Sequence, residues 1–244
     1  MRCLPVLVLV PLVGLLLAGC GERPPALTVE EGLSTVPPVA AVPVAADPIV
    51  LQNPEQATET PVRLLTDETW LATAAERSGI PLRALTAYAG TALLISSVDP
   101  DCRLDWATLA GIGYVESRHG TIDGGELGED GRPTEPIYGP RLDGTRFDTV
   151  PDNDGGALDG DAEVDRAMGP LQIIPTTWML WASSGWDPQN VDQQAVTAAR
   201  YLCDAGGDLS TESGWRAAIA AYNPAPSYAG KVAEAASRYA AEAA

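Results

Sequence analysis

Residues 105–120 read DWATLAGIGYVESRHG. Asp105 is a helix N-cap type, because its short side-chain oxygen can accept from free amides of the first turn. Gly120 suits a helix stop. Between them Leu109, Ile112 and Gly113 recur at i, i+3, i+4, the spacing of one face of an α-helix. Glu116 is the next member of that stripe, so a carboxylate stands where the pattern asks for an apolar group. Burial there disfavours the charged form, raises the pKa and leaves a protonated acid near neutral pH. Gly113, one turn earlier, is expected to leave room beside the acid for a ligand. A glutamate at a helix end can instead reach solvent or pair with Arg118. His119, just beyond, reads as a C-terminal charge or cap rather than a catalytic base.

Helical patterns continue on both sides. Asp67 caps an expected helix over 67–78, with Trp70, Leu71 and Ala74 on one face. Pro81 fits the first turn of a second, carrying Leu82, Leu85, Tyr88 and Ala89. Pro175 starts another, with Trp178, Met179 and Ala182. Trp178 is expected to pack in the core. Asn190 to Gln193 resembles a capping box for a helix that reaches Cys203 and stops at Gly206-Gly207. Residues 213–222 and 227–241 supply two Ala-rich helices. No hairpin signal is visible, so the fold class is mainly α.

The intervening segment 121–165 differs in character. It carries thirteen acids against three arginines, a net of −10 out of the chain's −18. A loop this long inside a compact domain is expected to be functional or disordered. Asp152-Asn153-Asp154-Gly155-Gly156-Ala157-Leu158-Asp159-Gly160-Asp161-Ala162-Glu163 places acids at positions 1, 3, 8, 10 and 12 of a twelve-residue span. Ca²⁺ takes six to eight oxygens from loops of this type. Asp152, Asp154, Asp159, Asp161 and Glu163 are therefore candidate ligands of a structural calcium. Position 5 is Gly and position 6 is Ala, which departs from an EF-hand. A solvated acidic turn, or an acidic rim to a cleft, is the alternative.

The 244 residues, 45% hydrophobic and 20% charged, suffice for one domain with a core. A net charge of −18 argues against nucleic acid as a partner. One His (His119) and one Lys (Lys231) leave little for a His-rich metal site or a lysine cluster. No glycine-rich phosphate loop is present.

Residues 1–20 read MRCLPVLVLVPLVGLLLAGC. Arg2 precedes an apolar stretch too short for a comfortable membrane span. Leu17-Ala18-Gly19-Cys20 resembles the lipobox of bacterial lipoproteins. Residues 1–19 are then a signal peptide, and acyl chains on Cys20 anchor the exported protein at a membrane, facing the cell wall. An ordinary secretory signal is the alternative, and it also exports the chain. Residues 20–62, with VPPVAAVPVAADP, read as a Pro/Ala-rich tether, and 63–244 as the folded domain. Cys3 leaves with the signal and Cys20 with the lipid, so Cys102 and Cys203 are expected to pair in an oxidising compartment. Two buried free thiols are the alternative.

Three segments taken together carry a resemblance. They are Gly113-Tyr114-Val115-Glu116-Ser117-Arg118-His119-Gly120, Ala167-Met168-Gly169-Pro170-Leu171-Gln172-Ile173-Ile174-Pro175 and Ala220-Ala221-Tyr222-Asn223-Pro224. In this order they resemble the motifs of B-type lytic murein transglycosylases, over roughly residues 64–240. The resemblance implies a mainly α, lysozyme-like domain with a long acidic loop insertion. It implies cleavage of the MurNAc–GlcNAc β-1,4 bond of peptidoglycan, with no required cofactor and with cell-wall synthesis or division proteins as candidate partners. Glu116 would be the single general acid/base. Ser117 would hydrogen-bond Glu116 or the sugar. Gln172 would contact N-acetyl groups, and Met168 would line a sugar subsite. Tyr222 and Asn223 would orient Glu116. Ile173 stands where an aromatic is common in the family, which weakens the expected stacking on sugar. Hydrolysis of the same bond needs a second carboxylate, for which Asp159 and Asp165 are candidates. A non-catalytic peptidoglycan-binding lipoprotein is the reading from a different class.

Overall fold

A computed structural model describes residues 61–244 together with Pro37, Val42 and Pro43. The signal segment 1–19, the lipid site Cys20 and most of the tether lie outside the described residues. Among the described residues there are seven α-helices and one two-stranded ribbon. The helices are α1 (Glu68–Ser78), α2 (Leu82–Val98), α3 (Trp106–Ser117), α4 (Pro175–Trp181), α5 (Val191–Gly206), α6 (Glu212–Tyr222) and α7 (Tyr228–Ala243). The ribbon pairs β1 (Tyr138–Arg141) with β2 (Arg166–Met168). None of these helices is long and apolar enough to cross a membrane.

The helix starts follow capping chemistry. Asp67 accepts from Trp70 N at 2.8 Å, and Asp105 from Ala107 N at 2.9 Å. Asn190 Oδ1 accepts from Asp192 N and Gln193 N, and Thr211 Oγ1 from Gly214 N. Each satisfies a first-turn amide that has no partner inside its helix. The expected reciprocal capping box at α5 does not close. The Gln193 side chain instead accepts from Asp187 N at 2.6 Å.

Helix α3 is the central element. Every residue from Trp106 to Gly113 is buried, with α7 and α2 packed against it. The stripe ending at Glu116 is therefore not an amphipathic face, because the helix is covered all round up to its last turn. That burial lets long apolar and small residues alternate freely along α3. The Ala-rich side of α7, with Val232, Ala233, Ala235, Ala236 and Ala240 buried, suits close packing of this kind.

The ribbon adds one short strand pair to the mainly α architecture. Its register is Tyr138 with Met168 and Arg141 with Arg166, with an irregularity between them. Its strands are joined by 142–165 rather than by a two-residue turn, so no tight-hairpin signature marks it. Cys102, between α2 and α3, is disulfide-bonded to Cys203 in α5. Closing a loop of this length removes about 4–5 kcal/mol of chain entropy from the unfolded state in the loop-entropy account. The segment expected as a tether, 20–62, meets the domain at Val62, buried in a cluster with Leu65, Leu93, Leu94 and Val196, and at two earlier described residues. Val42 packs against the core, and Pro43 O accepts from Asp67 N at 3.1 Å.

Candidate active site

Glu116 occupies the last turn of α3 and stays partly open to solvent. Tyr228, the first residue of α7, donates its hydroxyl to Glu116 Oε1 at 2.6 Å. Tyr222, the last residue of α6, stacks on Tyr228 with ring centroids 6.4 Å apart and planes 10° apart. The carboxyl is thus walled by two phenols. Burial pushes its pKa up to about 7, and the Tyr228 hydrogen bond pulls modestly the other way. Burial, followed by the charge of Glu116, pushes both tyrosines well above their ordinary range. They therefore remain protonated hydrogen-bond donors.

The segment 168–172 lies beside this end of α3, held from three sides. Ser117 Oγ donates to Pro170 O at 2.5 Å, and Tyr222 Oη donates to Leu171 O at 2.7 Å. Gln194, fully buried on α5, accepts from Leu171 N and donates to Met168 O and Pro188 O. Gly169 has φ +71°, and a Cβ there would stand 2.0 Å from Pro188 O, so only glycine fits. Gln172 holds φ +52° and donates Nε2 to Gly169 O at 3.0 Å. A left-handed backbone at a non-glycine residue is uncommon and marks a tightly constrained turn.

The expected substrate residues are thus brought together, with differences. Gln172 and Tyr222 are part-exposed. Ser117 is buried, and its hydroxyl both donates to Pro170 O and accepts from Gly120 N at 2.7 Å, so it fastens two chain segments instead of bonding Glu116. Met168 is fully buried and packs in the core. Asn223 Oδ1 accepts from Ala225 N at 3.0 Å in the turn after α6. Trp178 packs in the core as expected.

Two expectations about the end of α3 are corrected. Gly113 leaves no ligand space. A Cβ there would meet Tyr88 Oη at 2.1 Å, because the fully buried Tyr88 of α2 fills the position. The helix ends at Ser117, close to the expected stop, with Arg118 and His119 both in left-handed conformations. His119 then turns inward instead of capping as a charge. It is buried, with Nε2 2.9 Å from Tyr239 Oη and Nδ1 3.4 Å from Tyr88 Oη. Burial, aided by Arg238 and Arg118, lowers its pKa to about 3, so it is neutral. Arg118 lies over the Tyr114 ring at 4.1 Å. A cavity of about 390 Å³ opens beside that ring between α3 and α7, and Glu116 does not line it.

The acidic loop divides its carboxylates differently from the expected calcium set. Asp161 and Glu163 pair with Arg141, at 2.5 and 2.6 Å. Asp159 is buried and accepts from Arg166 N and Asp161 N. Asp152 and Asp154 instead group with Asp165, their carboxylate oxygens within 4.8 Å of one another. Burial raises the pKa of Asp165, helped by Asp159, Asp154 and Asp152. The charge of Asp159 thus acts on Asp165.

Tyr228 and Gln194 carry roles that sequence reading missed. Tyr228 follows the turn Asn223-Pro224-Ala225-Pro226-Ser227, and nothing local ties it to a carboxylate 112 positions earlier. Gln194 had one available signal, an uncharged polar residue inside a run of buried α5 positions. Comparison with known proteins found no matching family model, no matching curated protein and no matching solved structure.

Proposed function

We propose that this protein is a lytic transglycosylase of lysozyme-like fold that cleaves the MurNAc–GlcNAc β-1,4 bond of peptidoglycan. One observation carries the reading. Glu116 is a part-open acid at the end of a buried helix, raised to about 7 by burial and hydrogen-bonded by one phenol, Tyr228. A two-carboxylate glycosidase needs a second carboxyl at about 5–5.5 Å if retaining or about 6.5–9.5 Å if inverting, and this reading assigns none. A single acid/base suits a reaction whose nucleophile is already part of the substrate.

The steps follow from that geometry. Oε1 of Glu116 accepts from Tyr228, so the transferable proton belongs on Oε2. Glu116 gives that proton to the glycosidic oxygen as the bond to C1 breaks. The resulting carboxylate, stabilised by Tyr228, takes the proton of the C6 hydroxyl of the same muramic acid. That oxygen bonds to C1 and closes a 1,6-anhydro ring, and Glu116 is reprotonated. Attack is intramolecular, which avoids the entropy of capturing a water. A pKa near 7 lets one group serve in both directions at neutral pH. In this reading Gln172 and Tyr222 meet the sugar chain beside Glu116. The reading includes export and a lipid anchor at Cys20, which set the domain against the cell wall.

The Glu116→Gln variant tests it, with purified peptidoglycan as substrate. Release of soluble fragments is expected to fall by roughly 10²–10⁴-fold or more, while co-sedimentation with peptidoglycan persists. Full release by the variant would put the chemistry elsewhere. No release by the unaltered protein would favour a binding lipoprotein.

A further inference from the structure

Helix α7 places Lys231, Glu234, Ala235 and Arg238 at i, i+3, i+4 and i+7, the spacing of one helix face. Tyr114 and Val115 of α3, with Arg118 just past its end, line the same cavity of about 390 Å³. That volume is typical of a small-molecule site. Its walls carry three cations and one carboxylate, a net of +2 in a chain whose formal charge is −18.

The cations are held in place without acceptors. Arg118 lies 4.1 Å and Arg238 5.1 Å from the centroid of the one Tyr114 ring, and Arg238 lies 4.6 Å from that of Tyr239. A guanidinium stacked on a ring keeps its N–H edge free for an acceptor. Among the described residues, Arg118, Lys231 and Arg238 make no ion pair, although Glu234 shares their cavity. Other arginines of the chain are engaged. Arg83, Arg103, Arg132, Arg141 and Arg216 pair with carboxylates, and Arg166 and Arg200 donate to carbonyls. Three like charges around one hollow repel one another. An oxyanion seated among them relieves that repulsion and supplies the missing acceptors.

We propose that this cavity binds the phosphate group of a small phosphomonoester. Such a group carries a charge of about −1.5 to −2 at neutral pH, which matches the +2 of the walls, whereas a carboxylate brings one charge. The planar forks of Arg118 and Arg238 suit its oxygens bidentately. Val115 and Ala235 offer an apolar wall to the carbon body of the ligand. The chain's large negative charge repels anionic membranes and polymers, which favours a free molecule as the source of the phosphate. Glu116 does not line the cavity, so the site is separate from the proposed acid.

The test is equilibrium dialysis of the full chain against radiolabelled glycerol 3-phosphate. One bound molecule per chain is expected, displaced by inorganic phosphate, with acetate at least about tenfold weaker as a competitor. Arg238 is exposed and has no hydrogen bond to lose, so Arg238→Gln should fold; it is expected to raise Kd by about tenfold. Glu234→Gln is expected to lower Kd by about threefold, because it removes the one like charge facing the ligand. Arg216→Gln, on α6 and outside the cavity, is expected to leave Kd unchanged. The proposal is overturned if glycerol 3-phosphate does not bind saturably, if acetate competes as well as phosphate, or if Arg216→Gln weakens binding as much as Arg238→Gln. Displacement of glycerol 3-phosphate by phosphatidylglycerol vesicles, but not by phosphatidylcholine vesicles, would place the phosphate on a lipid and overturn the assignment to a free molecule. The readout is independent of glycan cleavage, so it stands or falls apart from the proposed activity.

Discussion

Glu116 and His119 are three residues apart at the end of α3, and they face opposite surroundings. Glu116 looks toward Tyr222 and Tyr228 and keeps an opening to solvent. His119 is enclosed by Tyr88, Tyr114 and Tyr239, with two arginines nearby. The same physical cause, loss of water, dominates both titrations. It raises the acid to about 7 and lowers the base to about 3. Desolvation always disfavours the charged form. On an acid it produces a proton donor usable at neutral pH. On an imidazole it produces a neutral side chain that serves packing and hydrogen bonding. The comparison explains why the chain's single histidine is buried and neutral.

The largest expected effect is on stability against pH. Glu116 binds its proton more tightly in the folded state, so its favourable contribution is full at acid pH. It is lost as pH rises from the ordinary carboxylate range through about 7. Glu116→Gln should remove a fall on the order of 3 kcal/mol across that window. His119 has the opposite sign, since the folded state releases its proton. Its contribution is lost as pH falls from about 6.5 toward 3, and His119→Gln should flatten that limb. Denaturant titrations at several pH values check both signs.

Gly113→Ala comes next. The added Cβ strikes Tyr88 Oη and approaches His119 Nδ1 at 3.4 Å, on the enclosed side alone. Overpacking of about 3 kcal/mol, less about 1 kcal/mol of gained helix propensity, predicts a net loss of about 2 kcal/mol. The loss is read as a lower denaturation midpoint. An unchanged midpoint would mean that Tyr88 moves aside easily.

Tyr228→Phe sharpens the open side. Its hydrogen bond lowers the Glu116 pKa, so removing it should move the matching limb of the rate–pH profile upward. The rate should fall at the same time, since the carboxylate formed in the reaction loses its donor. The smallest effect belongs to His119→Gln in activity assays. The position of that limb should stay put, because His119 does not act on Glu116.

Much of the helical framework was readable from local chemistry. Asp67, Asp105, Asn190 and Thr211 are cap types that stand one residue before their helices. The Cys102–Cys203 pair followed from compartment and count. What escaped reading depends on distant partners. The space beside Gly113 belongs to Tyr88, 25 positions earlier, so a glycine that suggested room in fact admits a neighbour. The donor to Glu116 sits on another helix. The ribbon strands are short and separated by a long loop, so neither alternation nor turn residues announced them. The acids of that loop looked alike in sequence, yet Arg141 claims two of them while the buried Asp165 joins Asp152 and Asp154.

The most direct test of the central claim is mass spectrometry of the muropeptides released from purified peptidoglycan by the unaltered protein. A single acid/base at Glu116 predicts products lighter by one water than those of a hydrolase, ending in 1,6-anhydromuramic acid. Ordinary reducing ends would contradict the account, because they require a water, and not the C6 hydroxyl of the muramic acid, to attack C1.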